Sequence, residues 1–306
     1  YEEVIVGSTS MGNILTKQFY RQRKDFEDSC AGRDAGLTFP EGVRCSTDIA
    51  YADDGIKAHL LDIYRPEDSQ EKVLPVIINV HGGGLIIGNK EFNRYFCALL
   101  CKKGFLVYSI EYRLIPDCLI YDQLADVFMA MDYIKERLAA DGGDSSHVYM
   151  AGDSGGACLI TYANAIQNST NIARAANVTP SGLRINALGL ISGMFYTSRF
   201  DKIGLFLPKY LYGRDYKKTP FAKYVNPENR ELLNSLAPVW LVTSHNDFLR
   251  RYTTDFEKAL TRAEREHELV VFPKNKKLTH AFSVFEPFLP ESSAVIDMMV
   301  EYLRKF

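Results

Sequence analysis

Apolar residues recur at helical spacing in the first stretch of the chain, at Met11, Ile14, Leu15 and Phe19, and Phe26 continues the stripe. Gly32, Gly36 and Pro40 are expected to end that helix. From about residue 45 the pattern changes to that of strands. Thr47 to Tyr51 and His59 to Tyr64 predict two antiparallel strands joined near Asp54-Gly55. Leu74 to Val80, LPVIINV, is almost continuously apolar, as a strand covered on both faces must be.

Strand and helix patterns then alternate. Strands are expected at Phe105–Ile110, Val148–Ala151, Leu183–Leu190, Pro238–Ser244 and Leu269–Phe272. Helices are expected at Gln123–Leu138, Gly155–Ile166, about Arg250–Glu266 and Ser292–Leu303. Such alternation predicts an α/β domain: a mostly parallel central sheet with helices on both faces. One stretch breaks the rhythm. Residues 194–235 lie between two strands and carry Phe195, Tyr196, Phe200, Phe206, Tyr210, Tyr212, Tyr216, Phe221 and Tyr224. That is too long for a plain connection. It predicts an insert packed over one end of the sheet, beside the N-terminal helix, whose aromatics serve packing, a pocket wall, or both. The chain thus divides into an N-terminal cap segment (1–45), a first core part (46–193), a cap insert (194–235) and a second core part (236–306).

Composition excludes more than it assigns. The formal net charge of -2 and 24% charged residues give no basic surface for nucleic acid. The basic run Lys274 to Lys277 reads as a solvated loop. No apolar run approaches the roughly 18 residues of a membrane helix. The six cysteines, Cys30, Cys45, Cys97, Cys101, Cys118 and Cys158, follow no metal-ligand spacing. They are expected to be free thiols in a reducing compartment, hence a cytoplasmic protein, with no metal and no cofactor.

Candidate chemistry centres on Val148 to Gly156, VYMAGDSGG. A short strand runs into Gly152-Asp153-Ser154-Gly155-Gly156 and a helix follows, the setting of a G-x-S-x-G nucleophile turn. The serine there sits on a strained backbone, and the residues two before and two after it approach so closely that only small ones fit. A second motif, His81-Gly82-Gly83-Gly84, directly follows the strand LPVIINV. Three consecutive glycines cost backbone entropy, and the lysine or second glycine pattern of a phosphate loop is missing. The amides of Gly83, Gly84 and Gly155 are therefore expected to form an oxyanion hole.

A serine nucleophile needs a base and the base an orienting acid. Of the six histidines, His59 lies in an early strand, His81 in the glycine motif and His147 at the wrong end of the nucleophile strand. His245 adjoins the candidate acid, and His267 lies in a charged run that reads as solvent-facing. His280 remains, a short loop after the last strand. Asp247 follows the strand Pro238–Ser244; its bland alternative is a helix N-cap. The order Ser154, Asp247, His280, each after a different strand, is that of a hydrolase triad.

With these motifs the chain resembles the hormone-sensitive-lipase-like bacterial esterases, the α/β-hydrolase-3 group. Leu61-Asp62-Ile63-Tyr64-Arg65-Pro66, Tyr112-Arg113-Leu114, Asp247-Phe248-Leu249-Arg250 and His280-Ala281-Phe282 carry the resemblance further. It implies the α/β-hydrolase fold with a helical cap and a serine carboxylesterase acting on small acyl or aryl esters through an acyl-enzyme. It also leaves room for deacylation of glycans, for a non-catalytic ligand-binding relative, and for a homo-oligomer. Arg113 is expected to pair with a buried carboxylate. The chain departs from the family pattern at Gly155 (usually Ala), Ile115-Pro116-Asp117 (usually Ala-Pro-Glu), Arg251 (usually acidic) and Ala281 (commonly Gly).

Overall fold

The computed structural model describes residues 2–69 and 72–306, with side chains from residue 14 onward. The expected contribution of Met11 to the first apolar stripe lies outside the described residues. Eight strands form one sheet in the order β1-β2-β4-β3-β5-β6-β7-β8. They are β1 (Val43–Ala50), β2 (Leu60–Pro66), β3 (Leu74–Val80), β4 (Leu106–Ile110), β5 (Gly143–Asp153), β6 (Ala187–Ile191), β7 (Val239–Ser244) and β8 (His267–Phe272). β1 pairs antiparallel with β2, and β2 antiparallel with β4. Every pairing from β4 to β8 is parallel.

Helices cover both faces, as the alternation predicts. On one side α3 (Ile120–Arg137), α4 (Ser154–Asn168), α5 (Thr170–Ala176) and α9 (Arg250–Arg262) bury their apolar faces. On the other lie α2 (Arg94–Lys102), α10 (Phe282–Phe285) and α11 (Pro290–Leu303), with Cys30 from α1 (Glu2–Asp34). The insert holds short helices only: α6 (Lys202–Phe206), α7 (Pro208–Tyr212) and α8 (Arg230–Asn234).

Boundaries shift where burial is partial. β8 begins at His267, two residues before the expected start, because an edge strand tolerates half-exposed polar positions. α9 correspondingly stops at Arg262, short of Glu266. β6 is only Ala187–Ile191; Leu183 and Ile185 are buried but precede the strand. α1 runs through Gly32 to Asp34, so Gly36 rather than Gly32 coincides with its end.

The topology places chemistry at one edge. β3 and β5 are neighbours, with Val80 opposite Gly152. β4 lies on one side of β3 and β5 on the other, so the chain reverses its winding direction there. Loops leave the carboxyl ends of such strands on opposite sides and open a crevice between them. The loops after β3, β5, β7 and β8 therefore meet above the same edge of the sheet.

Candidate active site

Ser154 begins α4 immediately after β5 and has φ 50, a left-handed conformation that costs a non-glycine residue about 1–3 kcal/mol. The flanking glycines make it possible. A methyl group on Gly152 would lie 2.6 Å from Val80 O, and one on Gly156 would overlap Val80 O and His81 O. The expected close approach of the residues two before and two after the serine is therefore present.

The structure brings Ser154, Asp247 and His280 together. His280 Nε2 lies 2.9 Å from Ser154 Oγ, and His280 Nδ1 lies 2.7 Å from Asp247 Oδ1. Thr243 Oγ1, at the end of β7, donates to Asp247 Oδ2 at 2.7 Å, and the Leu249 amide donates to Oδ1 at 2.8 Å. Asp247 thus shapes its own turn before α9 while it holds the imidazole. Burial alone would raise its pKa, but the His280 imidazole and the Ser192 and Thr243 hydroxyls outweigh burial and hold the carboxyl below its ordinary value. The Phe248 ring, 73% exposed, leans on the imidazole with ring centres 4.4 Å apart.

The glycine loop lies against this group. Gly83 and Gly84 have φ 111 and φ 61, and they share a cavity wall with Ser154 and His280. A Cβ on Gly155 would sit 2.9 Å from the Gly84 nitrogen, so the backbones carrying those two amides are in close approach. Asp153 ties the loop down: its Oδ1 accepts the Gly82 amide at 3.0 Å and the Asn93 side-chain amide at 2.9 Å. Burial pushes the Asp153 pKa up, against the opposing pull of Asn93 and His81. His81 lies fully buried under the loop, with Nε2 2.7 Å from Glu111 Oε1 and Nδ1 2.8 Å from Gly82 O. Burial would lower its pKa, but the Glu111 carboxylate more than offsets this and the net shift is upward.

The remaining histidines stand apart. His59 is buried between Asp54 and Asp126, and His147 pairs with Asp144 at the start of β5. His245 is exposed. His267 corrects an expectation: it is partly buried, next to Glu257 and Thr261, rather than facing solvent. Arg113 meets the fully buried Asp126 through Nε and Nη2, at 2.9 and 2.6 Å.

A cavity of about 500 Å³ opens over Ser154 and His280. α1 contributes Phe19, Gln22 and Phe26 to it, and the insert contributes Lys202, Ile203 and Phe206. Phe19 also meets Tyr210 edge-on, so α1 and the insert touch. Of the insert's nine aromatics only Phe206 lines the cavity. Phe195, Tyr196, Tyr212, Phe221 and Tyr224 are buried and pack the insert onto the domain, with Tyr212 and the Tyr224 backbone meeting the Tyr162 hydroxyl of α4. Packing accounts for most of the aromatic content, and pocket lining for one residue of it.

Sequence reasoning missed Glu111, Asn93, Thr243 and Arg23. Arg23 fastens α1 to the domain through Ile86 O (2.7 Å), Ile115 O (2.5 Å) and Asp117 (2.7 Å). Glu111 had a signal, as it immediately precedes Tyr112-Arg113-Leu114. The other three had none in their local sequence. No helix among the described residues is long and apolar enough to cross a membrane, and no His, Cys, Asp and Glu among them group as a metal site would require.

Comparisons with known proteins bear on the family and the fold. The model of the alpha/beta hydrolase fold family matches residues 77–283. A probable isoprenylcysteine alpha-carbonyl methylesterase of Oryza sativa subsp. japonica is 29% identical over 56% of this chain and 44% of its own length. Esterase LipQ of Mycobacterium tuberculosis is 32% identical over 39% of this chain and 28% of its own. The chain spans less than half the length of these curated relatives. Esterase B from Lactobacillus rhamnosis superposes with a TM-score of 0.89 over 96% of this chain and 95% of that one, at 22% identity. With a family model matched across well over half its length, the chain belongs to the alpha/beta hydrolase fold family.

Proposed function

We propose that the protein is a serine carboxylesterase that hydrolyses small acyl or aryl esters through an acyl-enzyme. The observation that carries this reading is the contact sequence Ser154 Oγ, His280 and Asp247, at 2.9 and 2.7 Å, on the wall of an apolar cavity. In the first step His280 Nε2 takes the Ser154 proton as Oγ adds to the ester carbonyl. The amides of Gly83, Gly84 and Gly155 receive the oxyanion, and His280 protonates the leaving alcohol. Water, deprotonated by His280, then releases the acid and restores the serine. Asp247 keeps the proton on Nδ1 and supports the imidazolium. His81, Gly82, Gly152, Asp153 and Gly156 support the geometry from behind, and no step calls for a metal or cofactor.

Residues 1–45 and 194–235 act as the cap in this reading, with α1 and α6 walling the acyl or alcohol site. Apolar walls suit an acyl chain or aryl ring better than a glycan, which needs polar partners along its length. Unpaired cysteines, four of them buried, suit a reducing compartment, which supports a cytoplasmic location.

Hydrolysis of nitrophenyl acetate, butyrate, octanoate and palmitate tests the reading, with Ser154→Ala as control. Turnover is expected to favour the short chains, and the alanine variant to lose a factor on the order of a million in kcat. Wild-type turnover no higher than that of the variant would refute it.

A further inference from the structure

The residues on the cap side of the cavity are apolar apart from two, Gln22 of α1 and Lys202 of α6. Lys202 is exposed, and no carboxylate pairs with it among the described residues. The adjacent acid, Asp201, is engaged elsewhere, and so is Asp255 of α9. Asp201 accepts the Ile203 and Gly204 amides at the start of α6 and the Tyr252 hydroxyl at 2.5 Å. Asp255 pairs with Arg199 at 2.9 Å. The acid on the cavity wall, Asp153, is 2% exposed and holds Gly82 and Asn93.

A lysine beside apolar wall residues does two things. Its exposed side chain is free to reach an anion held beside those walls, an attraction that added salt weakens. It also gives nothing to an uncharged acyl chain, so its electrostatic contribution appears only for a ligand with an anion of its own. The arrangement therefore offers apolar contact near the serine and a single positive charge on the cap.

We propose that Lys202 makes this site selective for esters whose far end carries a free carboxylate, such as monoesters of dicarboxylic acids. This rests on the esterase reading and names the substrate class of that site. The ester bond is presented to Ser154, the methylene chain lies against Ile203 and Phe206, and the remote carboxylate meets the ammonium.

The test compares monoethyl adipate with ethyl hexanoate, and monoethyl suberate with ethyl octanoate, for the wild type, Lys202→Met and Lys202→Glu. Methionine keeps length and apolar contact and removes the charge, and an exposed position tolerates both changes. The ratio of kcat/KM, monoester over neutral ester, is expected to fall about three- to tenfold in Lys202→Met and further in Lys202→Glu. Lys202→Met should change kcat/KM for the neutral esters less than for the monoesters, and the wild-type ratio should decline with added salt. Neutral esters cleaved normally, with a ratio indifferent to residue 202, would overturn the proposal and leave the esterase reading standing. Failure of the wild type to cleave any of the four esters or nitrophenyl butyrate would overturn both.

Discussion

Replacing Asp153 with alanine removes the acceptor that ties the glycine loop to the turn carrying Ser154. Two N–H groups lose their acceptor, the Gly82 amide and one N–H of the Asn93 side chain, now at 3.0 and 2.9 Å; Asn93 keeps only its contact with Asn79 Oδ1 at 3.4 Å. Asn93 is fully buried, so neither regains water easily. A buried donor left unsatisfied costs roughly 1–3 kcal/mol, which gives about 2–6 kcal/mol for the pair before any relief from deleting a disfavoured charge. Gly82 directly precedes Gly83 and Gly84, so slack at Gly82 passes to the amides proposed to hold the oxyanion. Displacing such groups by about 1 Å costs on the order of a hundredfold in rate. Asp153→Ala should therefore lose about a hundredfold in kcat with KM little changed, and unfold at a lower temperature. Asp153→Asn separates geometry from charge, because its carboxamide oxygen accepts the same two bonds. It should keep most of kcat. It should also gain stability relative to wild type as pH rises, until the gain levels off: an acid whose folded pKa is raised by burial destabilises the fold progressively between its ordinary 3.8 and the raised folded value, and by a constant amount above it. Steady-state hydrolysis of nitrophenyl butyrate and thermal unfolding from about pH 5 to pH 9 measure both effects. A folded Asp153→Ala protein with wild-type kcat would refute the argument that this carboxyl positions the loop.

Two further outcomes follow from the same edge of the sheet. The folded pKa of His81 lies above its ordinary 6.5, so its pairing with Glu111 stabilises fully below about pH 6.5 and less as pH rises through the folded value. The gap in Tm between wild type and Glu111→Gln should then be widest near pH 6 and narrow toward alkaline pH; a constant or widening gap would exclude a charged pair. Arg23→Ala removes three contacts that hold α1 over the cavity, and α1 supplies Phe19 and Phe26 to its wall. KM for nitrophenyl butyrate should rise about tenfold, the equivalent of 1.4 kcal/mol, and Arg23→Lys should recover part of it; unchanged KM in both would show that α1 needs no such anchor.

How much was legible follows from whether a residue's role is local. β3 and β7 lie inside the sheet, and their apolar runs are continuous because both faces are covered. β8 borders solvent, and its mixed pattern left the first two residues unread. Ser154 and the glycine loop have signatures within a few residues, since a turn that tight restricts its own sequence. Asn93, Thr243 and Arg23 have none. Asn93 matters because the Val80–Gly152 register sets Asp153 beside the glycine loop, and Arg23 because α1 crosses over that loop. Roles created by register or by helix docking impose no period on the chain.

The departures from the family pattern gain meaning at this level. Asp117 stands where the resembling sequences usually have Glu, and it is the carboxylate that Arg23 and the Tyr20 hydroxyl of α1 meet. Ala281 stands where Gly is common, and its φ of 49 and ψ of 36 explain why: the residue after the histidine is left-handed, which favours glycine. The strain is held because the Ala281 amide donates to Ser192 Oγ at 3.1 Å and its carbonyl accepts the Val284 and Phe285 amides. Ser192 is also one of the hydroxyls that keep the Asp247 carboxyl ionised. One hydroxyl therefore links the strained peptide behind His280 to the carboxylate that accepts from it, and Ser192→Ala should lower both Tm and the kcat for nitrophenyl butyrate if these two loops carry the proposed base and acid.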